Sequence, residues 1–161
     1  MLPRRRPVLA GLTVAGLTMA VLAVAVLAGC GGPGRPTPTS APQATSAGCQ
    51  QALAVLPATV LGRARTPLDV AGAASWGEPG IVLRCGLAEQ PPTGKPCLTV
   101  DGVDWVVDDT GDPIVFTAYG RAPTVDLRVP VSYHREDAPG ALVDVAAVAR
   151  ALPSTGHACI G

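Results

Sequence analysis

Large aromatic side chains are nearly absent: of 161 residues, only Trp76, Trp105, Phe116, Tyr119 and Tyr133 carry one. A core built on stacked rings is excluded, so apolar burial must come from Val, Leu, Ile and Ala. Cores of such small side chains usually need covalent help. An excess of either charge is also lacking, because twelve basic residues balance twelve acidic ones. Histidine occurs only at His134 and His157, and the chain has no CxxC, no GxSxG and no phosphate-cradling glycine loop. Those absences remove the signatures of thiol oxidoreductases, nucleophile-elbow hydrolases and nucleotide-binding loops.

What is present at the start is an export signal. Arg4, Arg5 and Arg6 form a positive head, and residues 8–28 run for 21 positions without a charge. A run of that length also fits an uncleaved transmembrane anchor, but its end decides between the two. Leu27-Ala28-Gly29-Cys30 resembles the lipobox of bacterial lipoproteins, in which two small residues admit the backbone to a narrow peptidase cleft and the Cys thiol takes the lipid. Residues 1–29 are therefore read as a lipoprotein signal peptide and Cys30 as the lipidation site. The Arg5-Arg6 pair is also compatible with twin-arginine export, and the route stays open. Removing 29 of the 161 residues leaves 132, enough for one domain with a tail. The three arginines leave too, so nine basic residues face twelve acidic ones. That balance argues against a nucleic-acid partner. Residues 30–47, rich in Pro, Thr and Ser, read as a tether, and treated as a flexible coil they reach about 23 Å. The expected location is outside the cytoplasm, at the outer face of the cytoplasmic membrane, with the membrane as one partner through Cys30.

Cys49, Cys85, Cys97 and Cys159 remain, an even number in an exported chain, and two disulfides are expected. Three pairings are open. Preferred are Cys85 with Cys97, across a Pro/Gly-rich loop read as a hairpin, and Cys49 with Cys159, tying the start of the domain to its end. His157 and Cys159 are two ligands in search of a zinc site, but no paired C-x2-4-C spacing accompanies them. Neither metal nor cofactor is assigned.

Residues 48–161 read as a single α+β domain. Helical spacing of Cys49, Ala52, Leu53 and Leu56 marks a helix over 49–56, with Gly48 as cap and Pro57 as stop. A second helix over 138–152 carries Leu142, Val145, Ala149 and Leu152 on one stripe, with Asp137 as its cap. Between them, short β-branched segments over 81–85, 97–100, 103–108, 114–119 and 124–129 have the strand pattern. Trp76 is a candidate for a sixth. In 124–129, Val125, Leu127 and Val129 face inward while Thr124, Asp126 and Arg128 face water. The expected architecture is an antiparallel sheet of about five strands with an N-terminal and a C-terminal helix on one face.

The blocks LPATVLGRAR (56–65), SWGEPGIVLRCG (75–86), TVDGVDWVVDD (99–109) and TAYGRAPTVDLRVP (117–130), with the closing Ala/Val helix, together resemble an actinobacterial family known as domain of unknown function 3515. The resemblance covers nearly all of 49–152. It implies a secreted or membrane-attached protein and brings no catalytic residue with it.

Asp101, Asp104, Asp108, Asp109 and Asp112 are dense enough to suggest Ca²⁺, yet their spacing does not fit an EF-hand loop, and a solvated turn is the plainer reading. Ser132 and His134 are i and i+2 in an extended stretch, where the base does not necessarily reach the hydroxyl. Trp76, Arg84, Tyr119 and Arg121 combine aromatics, arginines and adjacent glycines, the composition of ligand-binding surfaces. The alternative is that the two rings cap the core while the arginines pair with carboxylates. The expected function is a lipid-anchored, non-catalytic module that binds an envelope protein or glycan. A small envelope enzyme with a loop-borne site is the alternative, and it requires His134 or an Asp in a cleft beside an Arg. A purely structural wall protein would instead show an exposed apolar patch.

Overall fold

The computed structural model describes residues 37–160. The signal segment 1–29, Cys30 and the first part of the tether lie outside the described residues. Two short helices, α1 (Ala47–Leu53) and α2 (Gly140–Arg150), accompany eight strands: β1 (Thr59–Val60), β2 (Arg63–Thr66), β3 (Ala73–Trp76), β4 (Ile81–Leu87), β5 (Cys97–Val100), β6 (Val103–Asp108), β7 (Ile114–Ala118) and β8 (Thr124–Val129). They form one antiparallel sheet in the order β1-β2-β3-β4-β8-β7-β6-β5. Two four-stranded meanders are thus joined where β4 pairs β8.

The expected sheet of about five strands flanked by two helices is corrected by this count: the domain is mostly an eight-stranded sheet. Trp76, the candidate for a sixth strand, ends β3, while β1 and β2 escape detection because β1 has two residues and β2 is polar and largely exposed. Their hairpin turns on Leu61-Gly62, both at positive φ (48° and 69°). Such a two-residue turn normally carries Asn or Asp before its Gly. Here Asp144 of α2 holds Leu61 in place by accepting its N–H at 2.8 Å, a constraint from 83 residues away.

One sheet face carries the core. Trp76, Leu83, Trp105, Phe116 and Leu127 are fully buried there, and they cluster with Cys49 and Ala52 of α1 and Leu142, Val145 and Ala149 of α2. The inward set of β8 is as the alternation indicates, but its other side is not the wet face expected: Thr124 and Asp126 are buried as well, and only Arg128 reaches solvent. Helix α1 is capped by Ser46, whose Oγ accepts from the N–H of Cys49, rather than by Gly48. The first turn of α2 has no side-chain cap, so Asp137 does not fill that role.

The disulfides are Cys49–Cys85 and Cys97–Cys159, with Cα separations of 5.7 and 6.2 Å. The preferred pairing is corrected for a topological reason. Strands β4 and β5 are not hairpin partners: β8, β7 and β6 lie between them, which at strand spacing is about 19 Å. Residues 88–96 therefore form a crossover. Cys85 points to the core side, where α1 lies, and Cys97 sits on the edge strand beside the C-terminal tail.

The tether also ends earlier than expected. Ala41 and Ala44 are buried, and Gln43 N–H donates to Gly86 O at 2.9 Å. Ser40 Oγ donates to Ala71 O at 2.9 Å. Glycines make this docking possible: a Cβ on Gly86 (φ 104°) or Gly72 (φ 73°) would overlap Ala44.

Candidate functional site

The sheet face opposite the core carries no helix-derived core cluster, and the 88–96 crossover runs along it. Register brings Ala73, Arg84, Asp126, Thr117, Val106 and Cys97 into one cross-strand row. Ser75, Val82, Arg128, Val115 and Asp108 form the next row. Between these rows and the crossover lies a groove of about 500 Å³, lined by Arg84, Leu87, Glu89, Gln90, Pro91, Lys95, Val106, Val115, Thr117, Asp126 and Arg128, among others.

At its floor, the Asp126 carboxylate is buried to 3% exposure and receives two guanidiniums. Arg84 binds it through both oxygens, Nε to Oδ1 at 3.0 Å and Nη2 to Oδ2 at 2.5 Å. Arg128 Nε donates to Oδ2 at 3.1 Å. This fork-to-carboxylate geometry is the strong form of a charge-assisted hydrogen bond. The hydrogen bonds to Asp126 raise the Arg84 guanidinium above its ordinary pKa against the opposing cost of burial. Arg84 is 14% exposed at its side chain and Arg128 36%, so Arg128 is the arm that meets solvent.

The rim is tied down by other pairs. Lys95 Nζ donates to Asp108 at 2.6 Å, and this bond, with help from Thr110, lowers the Asp108 carboxyl to about 2. Glu89 accepts from Thr155 Oγ, and His157 Nδ1 lies 2.6 Å from it. Those contacts, Thr155 foremost, lower the Glu89 pKa. The C-terminal tail is held from below as Cys159 N–H donates to Asp104 Oδ2 at 2.8 Å. Gly120 (φ 66°) leaves the space that the His157 carbonyl occupies. Crossover and tail are thus joined through Glu89 at one end and the Cys97–Cys159 bond at the other.

Of the four residues that the sequence marks for ligand binding, the structure brings none of the others to Arg84. Trp76 is fully buried in the core, its Nε1–H donating to Pro57 O at 3.1 Å, so it faces no ligand. Arg121 donates to Leu152 O at 3.1 Å. Tyr119 lies 6.3 Å from the His157 ring, beside the tail. Arg128, Asp126, Lys95 and Glu89 escape singling out in the sequence. Alternation does place Asp126 and Arg128 on the outward face of β8, but nothing local shows that Arg84 on β4 stands opposite.

The five clustered aspartates are dispersed. Asp104 accepts from Thr99 Oγ and the Cys159 amide, Asp108 pairs with Lys95, and Asp112 accepts from the Val131 amide. Among the described residues, no group of three or more His, Cys, Asp or Glu side chains is placed to hold a metal ion. Ser132 and His134 line a shallow cleft with Arg63 and Asp137, and no hydrogen bond joins them.

Fold and site together define a small, disulfide-stapled, antiparallel-sheet domain with an arginine-floored groove on its outer face. The chain belongs to the family described as protein of unknown function (DUF3515), whose model matches residues 11–156. No curated protein and no solved structure matches it. Among the described residues, no helix is long and apolar enough to cross a membrane.

Proposed function

We propose that this protein is an actinobacterial envelope lipoprotein, anchored through Cys30 to the outer face of the cytoplasmic membrane, and that it acts as a non-catalytic module binding its partner in the groove of the outer sheet face. The anchor rests on the lipobox-like Leu27-Ala28-Gly29-Cys30, and two disulfides suit an oxidising compartment. Binding rests chiefly on one observation: every carboxylate of the groove is already engaged by protein donors, while guanidinium N–H groups of Arg128 are left over. Such a groove offers donors to a ligand rather than a base or a nucleophile.

A small envelope enzyme is the second reading. Asp126 in a groove beside Arg84 and Arg128, and His134 in a cleft beside Arg63, supply the juxtapositions it needs. Against it, both Asp126 oxygens are occupied and the carboxylate is sealed from solvent.

Two experiments test the proposal. Intact mass of protein from membranes should begin at a lipidated Cys30, with four cysteines that alkylate only after reduction; a full-length unlipidated mass would remove the anchor. A photoreactive phenylalanine analogue in place of Val115, in the groove, should give crosslinks in cells that the same residue at Val143, exposed on α2, does not. The reverse pattern would move the binding face elsewhere.

A further inference from the structure

We propose that the groove is selective for a single monovalent oxyanion, a carboxylate or phosphodiester carried on a small uncharged body, which Arg128 and Arg84 hold from the groove floor. The inference rests on the outer face being the binding face.

Charge balance comes first. Two guanidiniums share the Asp126 carboxylate, so the floor keeps one positive charge. Lys95 adds none, because Asp108 neutralises it at 2.6 Å. Glu89 stands on the rim, bonded to Thr155 and beside the His157 ring, and with that ring uncharged its carboxylate repels a second negative charge on the ligand. One uncompensated cation opposite a carboxylate rim favours a monoanion over a dianion.

Geometry comes second. Arg128 spends only Nε on Asp126, and its Nη groups have no acceptor among the described residues. That bond ties the guanidinium to the floor by one edge, and the planar fork keeps the remaining donors in a set relation to one another, which lowers the ordering cost of binding an oxyanion. Val106, Val115, Leu87 and Pro91 line the adjoining walls and offer an apolar surface to the rest of the ligand. A groove of about 500 Å³ has the size of small-molecule sites.

The test follows the side-chain Nε–Hε resonances of Arg84 and Arg128 in the full mature protein in detergent, titrated separately with butyrate, dimethyl phosphate and sulfate at neutral pH. Saturable shifts in the millimolar range with butyrate or dimethyl phosphate, and weaker ones with sulfate, are expected. Whichever monoanion binds more tightly identifies the ligand group as carboxylate or phosphodiester. Arg128→Gln should weaken binding about tenfold or more, read at Arg84. Arg128→Lys keeps the charge without the fork and should weaken it severalfold even if Arg128→Gln folds poorly. Arg65→Gln, on exposed β2, should leave it unchanged. No saturable shift, tighter binding of sulfate, or undiminished binding by both Arg128 variants would overturn the proposal. If crosslinks still arise from Val115 in that event, the binding face survives and only the anion is lost; silence in both removes the face as well.

Discussion

Asp126→Asn tests the organisation of the groove floor most directly. The wild-type carboxylate accepts three N–H groups from two arginines and is almost wholly buried. The amide keeps one acceptor oxygen, turns an NH2 donor toward a guanidinium, and leaves two cations facing each other. Removing one partner of a fully buried ion pair costs about 3–5 kcal/mol. Arg128, at 36% side-chain exposure, can turn to water, so about 2–3 kcal/mol is expected here. For a domain of this size, with a urea slope of about 1.5 kcal/mol per M, the unfolding midpoint should fall by about 1.3–2 M. Arg84→Met removes the stranded cation, so the double variant should be more stable than the sum of the single losses by about 1 kcal/mol or more. A midpoint shift below about 0.3 M for Asp126→Asn, or strict additivity, would show that the triad is an incidental surface pairing.

Three further outcomes follow from the same structure. Non-reducing digestion and mass spectrometry should recover Cys49 linked to Cys85 and Cys97 linked to Cys159; for sequence separations of 36 and 62 residues, replacing either pair with Ala should cost about 4 kcal/mol on the chain-entropy scale. Gly86→Ala should cost about 1–3 kcal/mol and speed amide exchange at Gln43, because positive φ and the buried Ala44 both oppose a Cβ there; Gly94→Ala, in open space, should be neutral. The Asp108 carboxyl is lowered from 3.8 to about 2, so its ionised form is favoured in the fold. Its stabilisation is complete above about pH 5 and is lost as pH falls through about 2. Lys95→Met should flatten that part of the urea-midpoint profile; an unchanged profile would show that the Lys95 contact does not persist in solution.

Features that depend on neighbouring residues can be read from the chain alone. Strands β4 to β8 are legible because β-branched alternation and turn residues repeat within a few positions, and α2 because its apolar stripe closes within three turns. Disulfide bonding follows from cysteine parity, and the family from ordered blocks. Features that depend on which strands become neighbours emerge only in the folded sheet. Pairing of β4 with β8 separates Cys85 from Cys97 and turns the expected hairpin loop into a crossover. It also sets Arg84 opposite Asp126 across 42 residues. The β1–β2 hairpin needs Asp144 from a distant helix, and the end of the tether needs two glycines from strands β3 and β4 and their turns. Trp76 shows the same limit: composition marks it as a binding residue, while the sheet to which it belongs buries it. Periodicity records which face a residue takes, but not what stands across from it, because cross-strand partners are chosen by chain topology rather than by local pattern.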